Sequence, residues 1–440
     1  MAEAAASSEA HLNKNGSCSS IDHVSELVDA VSINGAENGE ADEEILYAIG
    51  DYFGVGEEQL SFERGDELKI IEKTTEHWWW AELRGQCGYV PANHLTYNSF
   101  QQIYWQDDEY FGSYGNLKLH HEMLSDRPRT LAYQRAIQDN AHLLKDKVIL
   151  DVGSGTGILS LMCAKYGKPK QVYAVEASDI ADYTTEVVQS NGLSHLITVL
   201  YSYVEDIVLD EPVDLIISEW MGTLLLFEMM IESVLIARDK HLRPGGMVWP
   251  STASLYFVPV SAHDQYSESM DFWSEQYGFD FSCFKPLALK EFLHKPKHSH
   301  TLDRGDCLAS ETKLLELDVN KVSVIDLEEM TCPFEFHITK SGVLHGFCSW
   351  FQVDFQGLSS NVETTFLNTG PDFEETHWKQ NLFLLDSGWT VEEGDTLRGQ
   401  AKIVRHTEWR RHLRLIVSFI HLQAKSGQSK ECEKQFHVWR

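Results

Sequence analysis

Val148-Ile-Leu-Asp-Val-Gly-Ser-Gly-Thr-Gly157, running on into Ile158-Leu-Ser-Leu-Met-Cys-Ala-Lys-Tyr166, decides how this chain is read. An apolar run ends in an aspartate, three glycines follow at alternate positions, and an amphipathic helical pattern begins. That order is buried strand, tight turn, helix: the opening of a βαβ unit. Glycine lets the backbone turn sharply and lets a ligand approach with no Cβ in the way. The N–H groups of the first helical turn then face whatever the loop holds. The spacing is G-x-G-x-G rather than the dinucleotide G-x-G-x-x-G, so the ligand need not carry a pyrophosphate.

Downstream, Gln171-Val-Tyr-Ala-Val-Glu176 reads as a second strand, ending in an acid 25 residues after Asp151. An acid there usually bonds ribose hydroxyls. Leu196-Ile-Thr-Val-Leu200 leads to Tyr203-Val-Glu-Asp206, and Val213-Asp-Leu-Ile-Ile-Ser218 delivers Glu219-Trp-Met-Gly222. Strands alternating with helices predict a parallel, doubly wound sheet whose ligand lies past the strand C-termini. Each acid alone reads equally well as surface, but acids from four strands meeting a glycine loop point to a nucleoside site. Glu219 and Glu228 then bracket an apolar loop. Two carboxylates there are costly unless a cation joins them, and the planar partner that grips carboxylates in pairs is a guanidinium.

Upstream, Leu119-His-His-Glu-Met-Leu-Ser-Asp-Arg-Pro-Arg-Thr-Leu-Ala-Tyr133 has a helical pattern. By periodicity alone Met123, Leu124, Leu131 and Ile137 read as core, and His120, Asp126 and Arg129 as a solvated face. Before that, Ile45 to about Thr96 holds short strand-like runs, Glu67-Leu-Lys-Ile-Ile-Glu72 and Trp78-Trp-Trp-Ala-Glu-Leu83 among them, at close spacing with glycine turns. They predict a small β-barrel. Three successive tryptophans cannot all face inward, so at least one ring is expected to be exposed, as on a binding surface. After Trp249 the helical signal fades. Phe334-Glu-Phe-His-Ile338 and Arg411-His-Leu-Arg-Leu-Ile-Val417 alternate like half-buried strands, predicting an antiparallel β-barrel beside the nucleotide fold.

Two resemblances follow. Ala48-Ile-Gly-Asp-Tyr52, Leu60-Ser-Phe62, Gly65-Asp-Glu-Leu68, Trp78-Trp79 and Gly88-Tyr-Val-Pro91 resemble an SH3 domain. The resemblance implies a groove of Tyr52, Trp78 and Pro91 for polyproline-II peptides. Gly50 and His94 stand where groove tyrosines are usual, and Gln59 replaces an acid that Glu57 and Glu58 could partly supply. From Tyr110 onward the chain resembles the protein arginine N-methyltransferases. The motifs are Tyr110-Phe-x-x-Tyr114, Met123-Leu-x-Asp-x-x-Arg-Thr130, Asp151-Val-Gly-Ser-Gly-Thr-Gly157, Ser218-Glu-Trp-Met-Gly222 with Glu228, and Thr376-His-Trp378.

That second resemblance implies S-adenosyl-L-methionine as methyl donor. Glu176 would hold the ribose and Glu205 the adenine amine. Gly153, with Gly155, Asp151 and His120 nearby, would lie along the methionine part. Arg129 would pair its carboxylate, and Phe111 would cover the cofactor. Glu219 and Glu228 would clamp the substrate arginine, with His377 and Asp126 as an accessory pair. Met123 and Met221 match members that make asymmetric dimethylarginine. Histones and Arg/Gly-rich proteins are the implied substrates, cytoplasm and nucleus the implied compartments, and a homodimer the implied assembly, through an arm at about 265–302. No metal is implied.

The domains expected are thus an acidic tail (1–44), an SH3 domain (45–97), helices with a Rossmann-like domain (98–250) and a β-barrel substrate domain (251–440). Composition agrees. The net charge of −31 repels nucleic acid and attracts basic protein substrates, and it also serves solubility. Residues 1–44 carry ten acids against Lys14, the pattern of a disordered tail. The eight cysteines form no C-x-x-C pair, disfavouring a zinc site or disulfide framework and fitting a reducing compartment. No apolar run approaches a membrane span, and Met1-Ala-Glu-Ala-Ala-Ala lacks the features of a secretory signal. Two rival readings stand beside this one. A scaffold acting mainly through its SH3 domain would not need the acids, and a nicotinamide-dependent oxidoreductase is disfavoured by the glycine spacing.

Overall fold

The computed structural model describes residues 44–48, 52–54, 58–62, 65–75, 77–96, 100–356 and 364–439. Apart from Glu44, the acidic tail lies outside them, as do Gly50 and Glu57. Strands β1 (Glu44–Ala48), β2 (Glu67–Glu72), β3 (Trp78–Leu83), β4 (Gln86–Pro91) and β5 (Leu95–Thr96) form one sheet in the order β4-β3-β2-β1-β5. Arg84 (φ 51°) and Gly85 (φ 81°) turn β3 into β4, the two left-handed residues a tight hairpin demands. Leu46, Ala48, Phe62, Leu68, Ala81 and Val90 fill the core. The tryptophan run differs from expectation. Trp78, Trp79 and Trp80 are all half-buried, none fully exposed, because Trp79 packs on that core and Trp80 meets Tyr89 edge-on at 4.8 Å.

Helices α1 (Phe100–Tyr114), α2 (Leu117–Ser125), α3 (Arg127–Asp139) and α4 (Ala141–Leu144) lead into the central sheet. The Asn116 side chain caps α2, accepting from Lys118 N–H, and Asp126 caps α3 at 3.0 Å from Arg129 N–H, with Pro128 in the first turn. Strands β6 (Val148–Val152), β7 (Gln171–Glu176), β8 (Ile197–Tyr201), β9 (Val213–Ser218) and β10 (Leu242–Trp249) run parallel in the order β10-β9-β6-β7-β8. All five residues of β6 and all six of β9 are buried, as central strands covered on both faces must be. Helices α5 (Ile158–Met162), α6 (Ile180–Ser190) and α7 (Ile231–His241) supply crossovers.

The C-terminal half is antiparallel. Strand β11 (Thr252–Val260) precedes the arm: α8 (His263–Met270), a hairpin of β12 (Glu275–Gln276) and β13 (Phe279–Asp280), α9 (Lys285–Phe292) and β14 (Lys297–His300). Strands β15 (Thr312–Asp318), β16 (Glu329–His337), β17 (Gly342–Phe355), β18 (Thr365–Asn368), β19 (Gln380–Val391), β20 (Thr396–Arg405), β21 (Leu413–Leu422) and β22 (Ser429–Val438) follow. One sheet runs β14-β19-β17-β11-β15 with β18 beside β17, the other β16-β20-β21-β22. Phe257, Phe334, Phe336 and Phe347 meet between them, with Phe257 stacked on Phe347 at 4.8 Å.

The β-sheet half is tied to the nucleotide fold by buried charge. Arg405, at the end of β20, binds Glu232 at the start of α7 and Glu328 at 3.0 Å, and Arg410 adds a bond of 2.7 Å to Glu328. Burial raises the Glu232 pKa, but Arg405 and Arg410 outweigh it and hold the carboxyl at about 2. Removing the buried guanidinium leaves half-buried Glu232 without its ion pair while Glu328 keeps Arg410, so Arg405→Ala should cost about 3 kcal/mol. Chemical denaturation checks it: a loss below ~1 kcal/mol would show the network to be no more than a surface ion pair.

Candidate active site

The glycine turn after β6 is required by its backbone. Gly153 (φ 70°) and Gly155 (φ 52°) are both left-handed, and a Cβ would fall 2.8 Å from Met230 Cε at the first and 3.2 Å from His120 Cε1 at the second. The turn therefore leaves a cradle that any side chain would fill. Its amides, however, are used within the protein. Gly153 N–H (3.0 Å) and Ser154 N–H (2.9 Å) donate to Val175 O, and Gly155 N–H donates to Glu176 Oε2 at 2.7 Å. The other Glu176 oxygen accepts from Ser178 N–H at 2.9 Å.

Beyond this turn lies a cavity of about 250 Å³, with a smaller space of about 20 Å³ adjoining it between Phe111, Glu176 and Glu205. Glu205 is oriented by Ser233, whose hydroxyl donates at 2.7 Å. Phe111 and Tyr203 meet edge-on at 5.1 Å, so α1 closes this end. Asp151 does not line either space. Its Oδ2 accepts from Ser160 N–H (3.0 Å) and Ser160 Oγ–H (2.7 Å), fastening the turn to α5 from behind.

His120, Asp126 and Arg129, the solvated face expected from periodicity, are all buried. His120 and Arg129 turn toward the cavity and Asp126 toward His377, so polar partners rather than water meet this side of α2 and α3. His120 Nε2 lies 2.7 Å from Tyr114 O. Asp126 Oδ2 meets both His377 N–H (2.8 Å) and His377 Nδ1 (2.7 Å). Burial raises the Asp126 pKa, but the His377 bond and the backbone bonds from Arg129 and His377 hold it below the ordinary value. A carboxylate only accepts, so Nδ1 carries the proton and Nε2 of a neutral ring is left as the acceptor. Of the apolar residues expected in the core, Ile137 is buried, Leu131 is half-buried, Met123 lines the cavity and Leu124 is exposed.

The loop from Glu219 to Glu228 is the most strained part of the site. Leu224, Leu225, Glu228 and Met229 all have positive φ without being glycine. A Cβ at Gly222 would stand 2.1 Å from Phe227 O, which fixes that glycine too. Trp220, Met221 and residues 224–227 are buried, yet both carboxylates reach the cavity. Arg129 donates to Glu219 Oε2 through Nε (3.0 Å) and Nη2 (2.7 Å), and Met221 N–H meets Oε1 at 3.2 Å. Tyr114 O–H donates to Glu228 Oε2 at 2.7 Å. From the β-sheet half, Trp378 Nε1–H donates to Met221 O at 3.0 Å, placing His377 at the cavity wall. Sequence reasoning passed over Tyr114 as a site residue, though it stands four residues after Tyr110 on one helical face, and over His298 and Ser299. The last two reach the cavity where the β14–β19 register shifts and Ser299 takes φ 56°, a bulge with no sequence signal.

A parallel sheet with this turn after its central strand, and acids at the ends of its neighbours, defines a nucleoside-binding enzyme of the Rossmann-like class. The family model of the arginine methyltransferase oligomerization subdomain matches residues 251–424, the SH3 domain model residues 47–92 and the ribosomal protein L11 methyltransferase model residues 134–251. The chain is 47% identical to protein arginine N-methyltransferase 2 of Homo sapiens over 90% of its own length and 93% of that protein. It is 48% identical to the Mus musculus protein over 89% and 88%. Among solved structures, the Trypanosoma brucei PRMT1 enzyme–prozyme complex with AdoHcy superposes with a TM-score of 0.68 at 33% identity, covering 74% of this chain and all of that one. Arabidopsis thaliana protein arginine methyltransferase 10 does so with 0.68 at 32%, covering 75% of this chain and all of that one. The chain belongs to the protein arginine N-methyltransferases and carries an SH3 domain ahead of the catalytic fold. S-adenosyl-L-methionine is its cofactor, and the cradle at Gly153 and Gly155 with Glu176 and Glu205 beyond it fits that group.

Asp151 gives the site a pH signature. Burial, opposed by the Ser160 bonds, pushes its pKa up to about 7. An acid whose pKa rises on folding takes up a proton as the chain folds, so wild-type stability falls as pH climbs from about 4 to about 7. Asp151→Asn lacks that slope. Its melting temperature relative to wild type should rise between pH 5 and pH 8 in the unliganded protein; a constant difference would show that Asp151 stays ionised throughout.

Proposed function

We propose that Glu219 and Glu228 clamp the substrate guanidinium, and that the enzyme forms monomethyl- and asymmetric dimethylarginine in basic proteins such as histones and Arg/Gly-rich chains. The observation carrying this reading is the pair of carboxylates on one strained, buried loop, each held by its own donors and both facing one cavity. Arg129 already displays the guanidinium–carboxylate bond that the clamp would make with substrate.

When bound, S-adenosyl-L-methionine supplies an electrophilic methyl group on a cationic sulfonium. A second cation must come within bonding distance of it, so the site needs anions positioned in advance. Guanidinium is too weak an acid to be deprotonated beforehand at neutral pH. Glu219 and Glu228 would instead localise its charge on two nitrogens and leave the third to attack in line, with positioning supplying much of the remaining acceleration. The proton would leave as the attacked nitrogen becomes more acidic, toward His377, which Asp126 orients. Arg129, on this geometry, aims Glu219 as well as serving the methionine carboxylate. Met123 and Met221 both line the cavity, which supports restricted access to the second nitrogen and an asymmetric product. The net charge of −31 favours basic substrates.

Two further parts of the proposal rest on surfaces. Tyr52 lies 6.2 Å from Trp78 and 5.4 Å from His94, edge-on to both, with Pro91 buried behind and Gln59 taking the Tyr52 hydroxyl at 2.8 Å. This aromatic furrow would take proline-rich partners. The arm exposes Phe272, Tyr277, Phe279, Phe284, Leu287 and Phe292, with Tyr277 96% accessible, which supports a homodimer formed through it. Seven described cysteines are free thiols, in keeping with cytoplasm and nucleus as the working compartments.

Labelled S-adenosyl-L-methionine with an Arg/Gly-rich peptide tests the clamp. Glu219→Gln should lower transfer by about a hundredfold or more while cofactor binding survives, and product analysis of the wild type should give asymmetric dimethylarginine. A Glu219→Gln enzyme with near wild-type turnover would sink the clamp. For the furrow, Trp78→Ala should weaken binding of a proline-rich peptide by about 2 kcal/mol, read by titration; unchanged affinity would remove it.

A further inference from the structure

Arg411 lies on the loop joining β20 to β21, far in sequence from every motif of the site, yet two elements of the site, α1 and the Glu219–Glu228 loop, converge on it. Its Nε (3.1 Å) and Nη2 (2.6 Å) donate to Asp107 Oδ1 on α1. Its guanidinium lies 3.8 Å from the Tyr110 ring centroid and 5.2 Å from that of Phe111, the next turn of the same helix. Its Nη1 donates to Glu228 O at 2.8 Å, and Glu228 N–H donates back to Arg411 O at 3.0 Å. Both backbone groups of Glu228 are thereby held by one residue, at a position where φ is +76°. Neighbouring contacts run the same way. Gln106 bonds Glu408 O (2.7 Å) and Arg410 N–H (3.1 Å), and the His412 ring stacks on Phe227 at 6.1 Å.

We propose that Arg411 is a positioning residue that couples the cofactor-covering helix to the substrate clamp. A left-handed, non-glycine Glu228 persists only if its surroundings over-determine it; Arg411 holds both of its backbone groups, and Tyr114 holds its carboxylate. The same guanidinium fixes the face of α1 that carries Phe111 at the cofactor end and Tyr114 at the Glu228 carboxylate. Movement of α1 onto a bound cofactor is therefore transmitted to Glu228 through Arg411, and a substrate gripping Glu228 restrains α1. Sites linked this way bind cooperatively, and the linkage is reciprocal. Lysine cannot reproduce it, because one ammonium does not span a fork to Asp107, a carbonyl of another loop and two ring faces together. The inference rests on the reading of Glu228 as a clamp.

The test uses the full chain and calorimetric titration of an Arg/Gly-rich peptide with and without saturating S-adenosylhomocysteine, alongside steady-state turnover. In the wild type the nucleoside should tighten peptide binding by about fivefold or more. In Arg411→Lys that factor should fall to about one and kcat by about tenfold, with nucleoside affinity changed far less. Asp107→Asn, which releases α1 and keeps the bonds to Glu228, should also lose the factor, and it serves if the first variant does not fold. A wild type without coupling, or variants that keep its factor and differ only in melting temperature, would overturn the proposal. Glu228→Gln separates the two ideas: an active Glu228→Gln enzyme removes the clamp, whereas an inactive one beside a wild-type-like Arg411→Lys removes the coupling alone.

Discussion

Holding two carboxylates on an apolar loop without neutralising them is the constraint on which the rest of this structure depends. A buried, unpartnered charge costs several kcal/mol, and the loop that carries Glu219 and Glu228 buries most of its other side chains. Each acid must therefore be supplied with donors that do not block its open side. Arg129 and Met221 N–H serve Glu219, and Tyr114 serves Glu228. Those donors come from α3, from the loop itself and from α1. Helices that look peripheral in the fold are in place because the acids need them.

The same constraint explains why the β-sheet half is fused so tightly to the nucleotide fold. The loop and the residue after it can hold four left-handed non-glycine residues only where something outside takes their backbone groups. Trp378 takes Met221 O, and Arg411 takes both backbone groups of Glu228. Beside these, Arg405 joins α7 to the end of β20. The cleft is thus a joint between halves rather than a pocket in one, and the side chains facing it span Tyr110 to Trp378 in the chain.

How much of this could be read in the sequence follows from the range of the interactions. Gln171–Glu176, Val213–Ser218, Glu67–Glu72 and Trp78–Leu83 are strands in the structure as expected, because composition and flanking turns are local. The glycine turn was legible for the same reason. His120, Asp126 and Arg129 were not, by periodicity alone, since a polar helical face turned toward a polar cavity has the same pattern as one turned toward water. Motif resemblance singled them out where periodicity could not. Tyr114–Glu228 and Arg411–Asp107 join residues 114 and 304 positions apart and leave no periodic trace. His298 and Ser299 reach the cavity only through a register shift, which depends on the partner strand.

The turn at Gly153–Gly157 also says more in three dimensions than its spacing did. A dinucleotide loop works by presenting free amides and a helix N-terminus to a pyrophosphate. Here Val175 O takes two of the amides and Glu176 a third, while Asp151 takes Ser160 N–H in the first turn of α5. The loop thus offers an anion few donors and sets a carboxylate beside the place one would occupy. What remains is a left-handed cradle lined by glycine Cα atoms and by Glu176 oxygens that can still accept from hydroxyls. A ligand matching it has a ribose, no phosphate and room for positive charge. The nicotinamide reading fails on those grounds, and a sulfonium nucleoside meets each of them.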